Sequence, residues 1–182
     1  LAKRLRVIYT QAMKHPVQTR EGTRQNKFIN LDMEEYRDLA MTCEAFMRAL
    51  DDEALLGFYG GIVMQAYLPD SHLWQQKLTQ WAKKRVEKGG SPIKIRLVKG
   101  ANMEMEETEA SLRHWEVAPY TQKIDTDANY KRMARYALDP QNAPYAHLGA
   151  ASHNLFELAY AYELAKENGM ERYFTFEILE GM

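Results

Sequence analysis

The sequence predicts an α/β fold of parallel βαβ units, and three observations predict it. Short apolar runs of β-like composition alternate with stripes of helical spacing along nearly the whole chain. Pro, Gly and Asp punctuate the junctions between them. Isolated polar residues, namely Asp32, Gln65, Arg96, Lys99, His153 and Asn154, fall inside or just after the C-terminal halves of the β-like runs. In β/α barrels and open α/β sheets alike, that edge is where ligands bind.

Each element follows in order. Leu1, Leu5, Ile8 and Ala12 recur on one face of a helix, and the polar stretch from His15 to Asn26 reads as a loop. Lys27 to Leu31 is a short strand, followed at once by Asp32, and Leu39, Cys43, Phe46 and Leu50 mark the next helix. Gly61 to Tyr67 is a second strand, with a helix carrying Trp74, Leu78 and Trp81 that ends at Gly89-Gly90. Ile93 to Val98 is a third strand, and helices are expected from about Met103 to Arg113 and from about Thr126 to Leu138. The latter presents Tyr130, Met133, Ala134 and Ala137 on one face. Tyr145 to Ser152 is a fourth strand, Leu155, Leu158, Ala159 and Tyr162 mark its helix, and Tyr173 to Leu179 is a fifth strand. Five strands are too few to close a barrel, which takes about 250 residues. The sheet is therefore open, or the chain is a piece of a larger barrel.

The 182 residues carry 24 basic and 25 acidic side chains, a formal net charge of −1. That balance gives no electrostatic footprint for nucleic acid and no polybasic signal for anionic lipid. A single cysteine, Cys43, excludes an internal disulfide and a cysteine-based zinc site. No apolar run approaches the ~20 residues that span a bilayer, and the basic, amphipathic first residues do not form a secretory signal. A soluble, cytoplasmic location is expected.

Several residues have ordinary structural readings. Asp32 and Glu35 have the spacing of a helix capping box. Arg96, inside an apolar strand, requires either an ion pair or a ligand. Lys99 reads as a satisfied structural lysine, Trp74 and Trp81 as core, and the acidic run Glu104 to Glu109 as a solvated helix start. His147 and His153 have no third donor at metal-ligand spacing. No Walker or G-x-G-x-x-G pattern is present, so a Rossmann cofactor site is unsupported.

The segments FINLDMEEYRDL (28–39), GIVMQAYLPDSH (61–72), IKIRLVKGAN (93–102), YTQKIDTDANY (120–130), ASHN (151–154) and FEILEGM (176–182) appear in that order. Together they resemble the proline dehydrogenase domain of bifunctional proline-utilization enzymes, over nearly the whole chain. The resemblance implies one partial β/α (TIM-like) barrel domain over residues 1–182, about five parallel strands alternating with helices, lacking the first and last strands of the full barrel. It implies FAD as cofactor and oxidation of L-proline to 1-pyrroline-5-carboxylate by hydride transfer to flavin N5. Further implications are a quinone electron acceptor, peripheral association at the inner face of the membrane, and a C-terminal 1-pyrroline-5-carboxylate dehydrogenase domain in the parent protein.

By the same resemblance, Arg96 and Asp32 are the catalytic positions, Arg96 lying near N5, where a fixed positive charge favours reduced flavin. Gln65, Val98, Gly100, Ala101 and Glu177 lie on the flavin side, with Gly100 too close to the ring for a side chain. Lys123 and Thr126 match a segment near the pyrophosphate, and His153 and Asn154 match the ribose and adenine contacts. Asp32, Asn102 and Leu179 face the substrate, Asp32 gating the pocket. The family's first strand supplies a substrate-site lysine, and its last barrel helix supplies adjacent arginines that clamp the proline carboxylate. This sequence has no Arg-Arg pair. The isolated chain is therefore expected to be incomplete for catalysis and to associate through unpaired strand edges. A β/α-barrel enzyme of other chemistry, such as a sugar-phosphate enzyme, and a non-catalytic structural fragment are the alternatives.

Overall fold

A computed structural model of the chain describes residues 1–178. Helix α1 (Ala2–Lys14) leads into a small antiparallel hairpin, β1 (Val17–Gln18) and β2 (Arg24–Gln25). Then follow β3 (Asn30–Leu31), α2 (Leu39–Leu50), β4 (Gly61–Gln65), α3 (Ser71–Glu87), β5 (Ile93–Val98), α4 (Met103–Arg113), α5 (Lys123–Ala137), β6 (Ala146–Ala151), α6 (Leu155–Glu167) and β7 (Phe174–Glu177). The sheet runs in the order β3-β4-β5-β6-β7 and every neighbouring pair is parallel. Strand order equal to chain order, with helical crossovers between strands, is the pattern of a β/α barrel, and this chain forms part of one.

Central strand β5 shows how the sequence builds this. Ile93, Ile95 and Leu97 are buried while Lys94, Arg96 and Val98 are half-buried, so the period of two sorts apolar from charged residues. The apolar set joins the core, on which α5 packs with Tyr130, Met133, Ala134 and Ala137 buried. Lys94, Arg96 and Val98 share the other face with Gly61, Val63 and Gln65 of β4, their register partners. On β6 the same face carries His147 and Gly149. Among the described residues, no helix is long and apolar enough to cross a membrane.

Several expectations are corrected. The stretch expected to be only a loop holds the β1–β2 hairpin, and the strand at Lys27 to Leu31 shortens to Asn30–Leu31. The capping box does not form. A 3₁₀ turn at Tyr36–Asp38 separates Asp32 from α2, and Asp32 instead accepts from the next backbone N–H, that of Met33, at 3.1 Å. In α1 the buried face is Leu5, Tyr9 and Ala12, turned from the Leu1–Ile8 line because the Tyr9 ring stacks on Phe58 at 4.9 Å. In α6 the buried face is Glu157, Leu158, Ala161 and Ala165, whereas Leu155, Ala159 and Tyr162 are exposed. Trp74 and Trp81 are only partly buried against the core; Gln75, Leu78, Thr79, Ala82 and Arg85 form the inward face of α3.

Arg85 is 3% exposed. Its guanidinium donates to the carbonyls of Leu50, Leu55, Leu56, Phe58 and Ser91, which close the α2–β4 and α3–β5 connections. A buried charge is tolerated when its donors are satisfied. Replacement Arg85→Met orphans these carbonyls, and a loss of about 3 kcal/mol or more is expected in denaturant unfolding.

On the concave face, His147 Nδ1 lies 3.0 Å from the Tyr59 hydroxyl, and its ring packs on Tyr173 at 5.0 Å. Burial, aided by the Lys94 charge, lowers its pKa from 6.5 to about 4. Between these two values the unfolded chain binds a proton at this site that the folded chain refuses. The contribution is fully present above the unfolded value and lost as pH falls through the folded one. Melting temperatures should therefore drop between pH 6.5 and 4, and His147→Gln should flatten that slope.

Candidate functional site

A cavity of about 740 Å³ opens at the carboxyl edge of the sheet. Parallel strands deliver their ends to one rim, so residues far apart in sequence converge there. Asp32 follows β3, Gln65 ends β4, Arg96 and Val98 belong to β5, and Gly100, Ala101 and Asn102 follow it; all line the cavity. His153 follows β6 and Glu177 ends β7, and both line it too. Lys123, Thr126 and Asn154 are not among the described residues of its wall. Lys123 and Thr126 lie in the first turn of α5, Thr126 buried and Lys123 paired with Asp127 at 2.5 Å. Hydrogen bonding to Asp127 raises the Lys123 pKa. Asn154 caps α6, its side chain accepting from the Phe156 N–H at 3.0 Å. Leu179 lies outside the described residues.

The loop from Asp32 to Glu35 forms one wall, and several side chains hold it. Gln65 Nε2 donates to the carbonyls of Met33 at 3.0 Å and Glu34 at 3.3 Å, and Asn102 Nδ2 donates to Glu34 O at 2.9 Å. Glu106, at 2.6 Å, accepts from the backbone N–H of Tyr36, and Arg37 pairs with Glu35 and Glu109. The acidic run of α4 is thus partly a clamp on this loop and not only a solvated face. Asp32 itself is exposed at the rim.

Gln65 is 3% exposed and its amide nitrogen is spent on the loop, yet its Oε1 is buried with no partner among the described residues. Such an acceptor in a cavity wall is costly unless a ligand donor meets it. Arg96 makes one side-chain hydrogen bond among the described residues, from Nε to Glu177, and its side chain is 35% exposed on the cavity. Val63, Val98 and Met33 supply apolar surface between these polar groups. An isoalloxazine ring has this chemistry: flat and apolar, with an N–H donor and several acceptors along its edge. The residues present fit a flavin. Lys99 pairs with Asp127 and, at 3.5 Å, with buried Glu157, as a structural lysine should. Among the described residues no His, Cys, Asp and Glu cluster could hold a metal.

Sequence reasoning missed Lys94 and Gly149. Lys94 stands two residues before Arg96 on the same strand face and pairs with the same Glu177. The alternation in Ile-Lys-Ile-Arg carried that signal. Gly149 left none, because its role depends on side chains of the two neighbouring strands, Glu177 on β7 and Lys94 on β5.

Fold and cavity together define a ligand-binding β/α-barrel protein with its site at the carboxyl edge of the strands. The proline dehydrogenase pattern matches residues 4–182. The bifunctional protein PutA of Escherichia coli (strain K12) is 33% identical over 156 residues, covering 85% of this chain and 11% of that protein. The structure of proline utilization A from Corynebacterium freiburgense superposes with a TM-score of 0.90 at 47% identity, over 100% of this chain and 18% of that one. Proline utilization A from Bdellovibrio bacteriovorus, inactivated by N-propargylglycine, gives 0.85 at 36% identity, over 100% of this chain and 17% of that one. The chain belongs to the proline dehydrogenase family. It spans a small part of the length of these relatives.

Gly100, between the strand end and α4, has φ +129°, and a Cβ there would enter the Tyr67 ring. Gly100→Ala should lower unfolding stability by more than about 1 kcal/mol, read as an earlier denaturation midpoint. Gly57→Ala, where a Cβ meets nothing, is the control.

Proposed function

We propose that this chain is the cofactor-holding part of an FAD-dependent proline dehydrogenase that oxidises L-proline to 1-pyrroline-5-carboxylate and passes the electrons to a quinone. The observation that carries the reading is Gln65, which lines the same cavity as Arg96 and whose buried Oε1 has no hydrogen-bond partner among the described residues, in a chain of this family. FAD, when bound, supplies the hydride acceptor at flavin N5. The protein would supply the rest: Gln65 and the Arg96 guanidinium donors, unused among the described residues, would hold the polar edge of the ring. Val98, Gly100 and Ala101 leave a close, side-chain-poor wall for the ring.

Arg96 also fixes positive charge where the reduced ring is electron-rich, which lowers the cost of taking up the hydride. Proline loses that hydride from ring carbon and a proton from ring nitrogen, forming the C=N bond of the product. Asp32, Asn102 and Leu179 are assigned to the substrate side. In this reading His153, on the cavity wall, and Asn154, Lys123 and Thr126, beyond it, serve the adenosine and pyrophosphate portion. The clamp for the proline carboxylate comes from elsewhere in the parent protein, as does the partner domain for the product. No residue described here provides an arginine pair.

The test is the visible spectrum of the full-length protein after desalting. Flavin bands that bleach on anaerobic addition of L-proline, and irreversible loss of that bleaching after N-propargylglycine, are expected. Flavin that L-proline leaves oxidised would overturn the substrate, and absence of flavin would overturn the cofactor.

A further inference from the structure

Glu177 reaches from β7 across β6 to the face of β5. Its register partner on β6 is Ala151, and the residue beneath its carboxylate is Gly149. A Cβ at Gly149 would enter the Glu177 carboxylate and stand 2.9 Å from Lys94 Cε. The absence of a side chain there opens the slot through which the carboxylate meets both cations. One oxygen takes the Arg96 Nε–H, and the other faces the Lys94 ammonium. The three side chains are 15% exposed for Glu177, 15% for Lys94 and 35% for Arg96. Arg96 is thus the member turned to the cavity, and Lys94 is the member behind it.

We infer that Glu177 is a positioning residue, not a cofactor ligand: it aims Arg96 into the cavity, and with Lys94 it sets the charge that the bound cofactor feels. The inference rests on the flavin reading above. Bidentate use of the Arg96 fork on the carboxylate would close the guanidinium off from a ligand. Lys94 meets the second oxygen, and Arg96 meets the first through Nε alone, so its terminal amino groups make no hydrogen bond among the described residues. Two cations against one carboxylate leave the cluster one positive charge in excess. In a half-buried site that excess is weakly screened and favours an electron-rich ring.

Charge changes of opposite sign should therefore move the reduction potential of the bound flavin in opposite directions. Glu177→Gln adds positive charge and should raise the midpoint potential; Lys94→Met removes it and should lower it. Glu177→Asp keeps the charge and should stay nearer wild type than Glu177→Gln. The potentials are read by dye-equilibrated reduction of the full-length flavin-loaded protein, without substrate. A purely structural cluster would leave both potentials unmoved or shift them in the same direction, and either result overturns the inference. Should Glu177→Gln not retain flavin, Lys94→Met decides alone: a lowered potential supports the assignment, and an unchanged or raised one overturns it. Wild-type protein without flavin sinks the functional reading and this inference with it.

Discussion

A parallel sheet obliges successive side chains of a strand to face opposite ways, and in β5 this constraint governs everything else. Its apolar residues, Ile93, Ile95 and Leu97, join the core with the helices, while Lys94, Arg96 and Val98 are committed to the concave side. Were the register shifted by one residue, two cations would enter the helix layer and the cavity would lose the Arg96 guanidinium. Neighbours accept the same division: β4 presents Gly61, Val63 and Gln65 to the concave face, and β6 presents His147 and Gly149. The core and the site are two outcomes of one alternation.

The second organising feature is the satisfaction of loop carbonyls by buried amides and guanidinium groups. Gln65 and Asn102 hold the loop after β3, Asn129 holds the carbonyls of Ala66 and Leu68 after β4, and Arg85 closes the opposite end of the barrel segment. Connections in such a fold carry backbone groups that no strand partner reaches, so side chains complete them. The loops at the carboxyl edge are therefore built into the wall of the cavity. Gln65 donates its nitrogen to the wall, while its Oε1 stays buried with no partner among the described residues.

Much of this was legible in the chain itself. The β5 alternation, the stripe Tyr130, Met133, Ala134 and Ala137, and the polar residues at strand ends identified the sheet, a helix face and the rim of the cavity. Asp32, Gln65, Arg96, Val98, Gly100, Ala101, Asn102, His153 and Glu177 come together at one cavity, as strand-end positions must in parallel topology. The buried faces of α1 and α6 were misread because apolar residues such as Ile8 and Leu155 satisfy a periodicity while pointing away from the core. Periodicity reports amphipathicity, and the neighbouring element selects the rotation.

By itself the sequence determined the fold class, the order of its elements and the edge at which chemistry gathers, because alternation and helical spacing are local properties of the chain. Only the tertiary structure decided that Asp32 caps nothing, that Arg85 is held by carbonyls and not by a carboxylate, and that Glu177 lies between Lys94 and Arg96 above Gly149. These depend on which strands become neighbours and on the space left between them. Side chains on strands with another strand between them meet here because Gly149 on that middle strand lacks a side chain, and no local pattern encodes that arrangement.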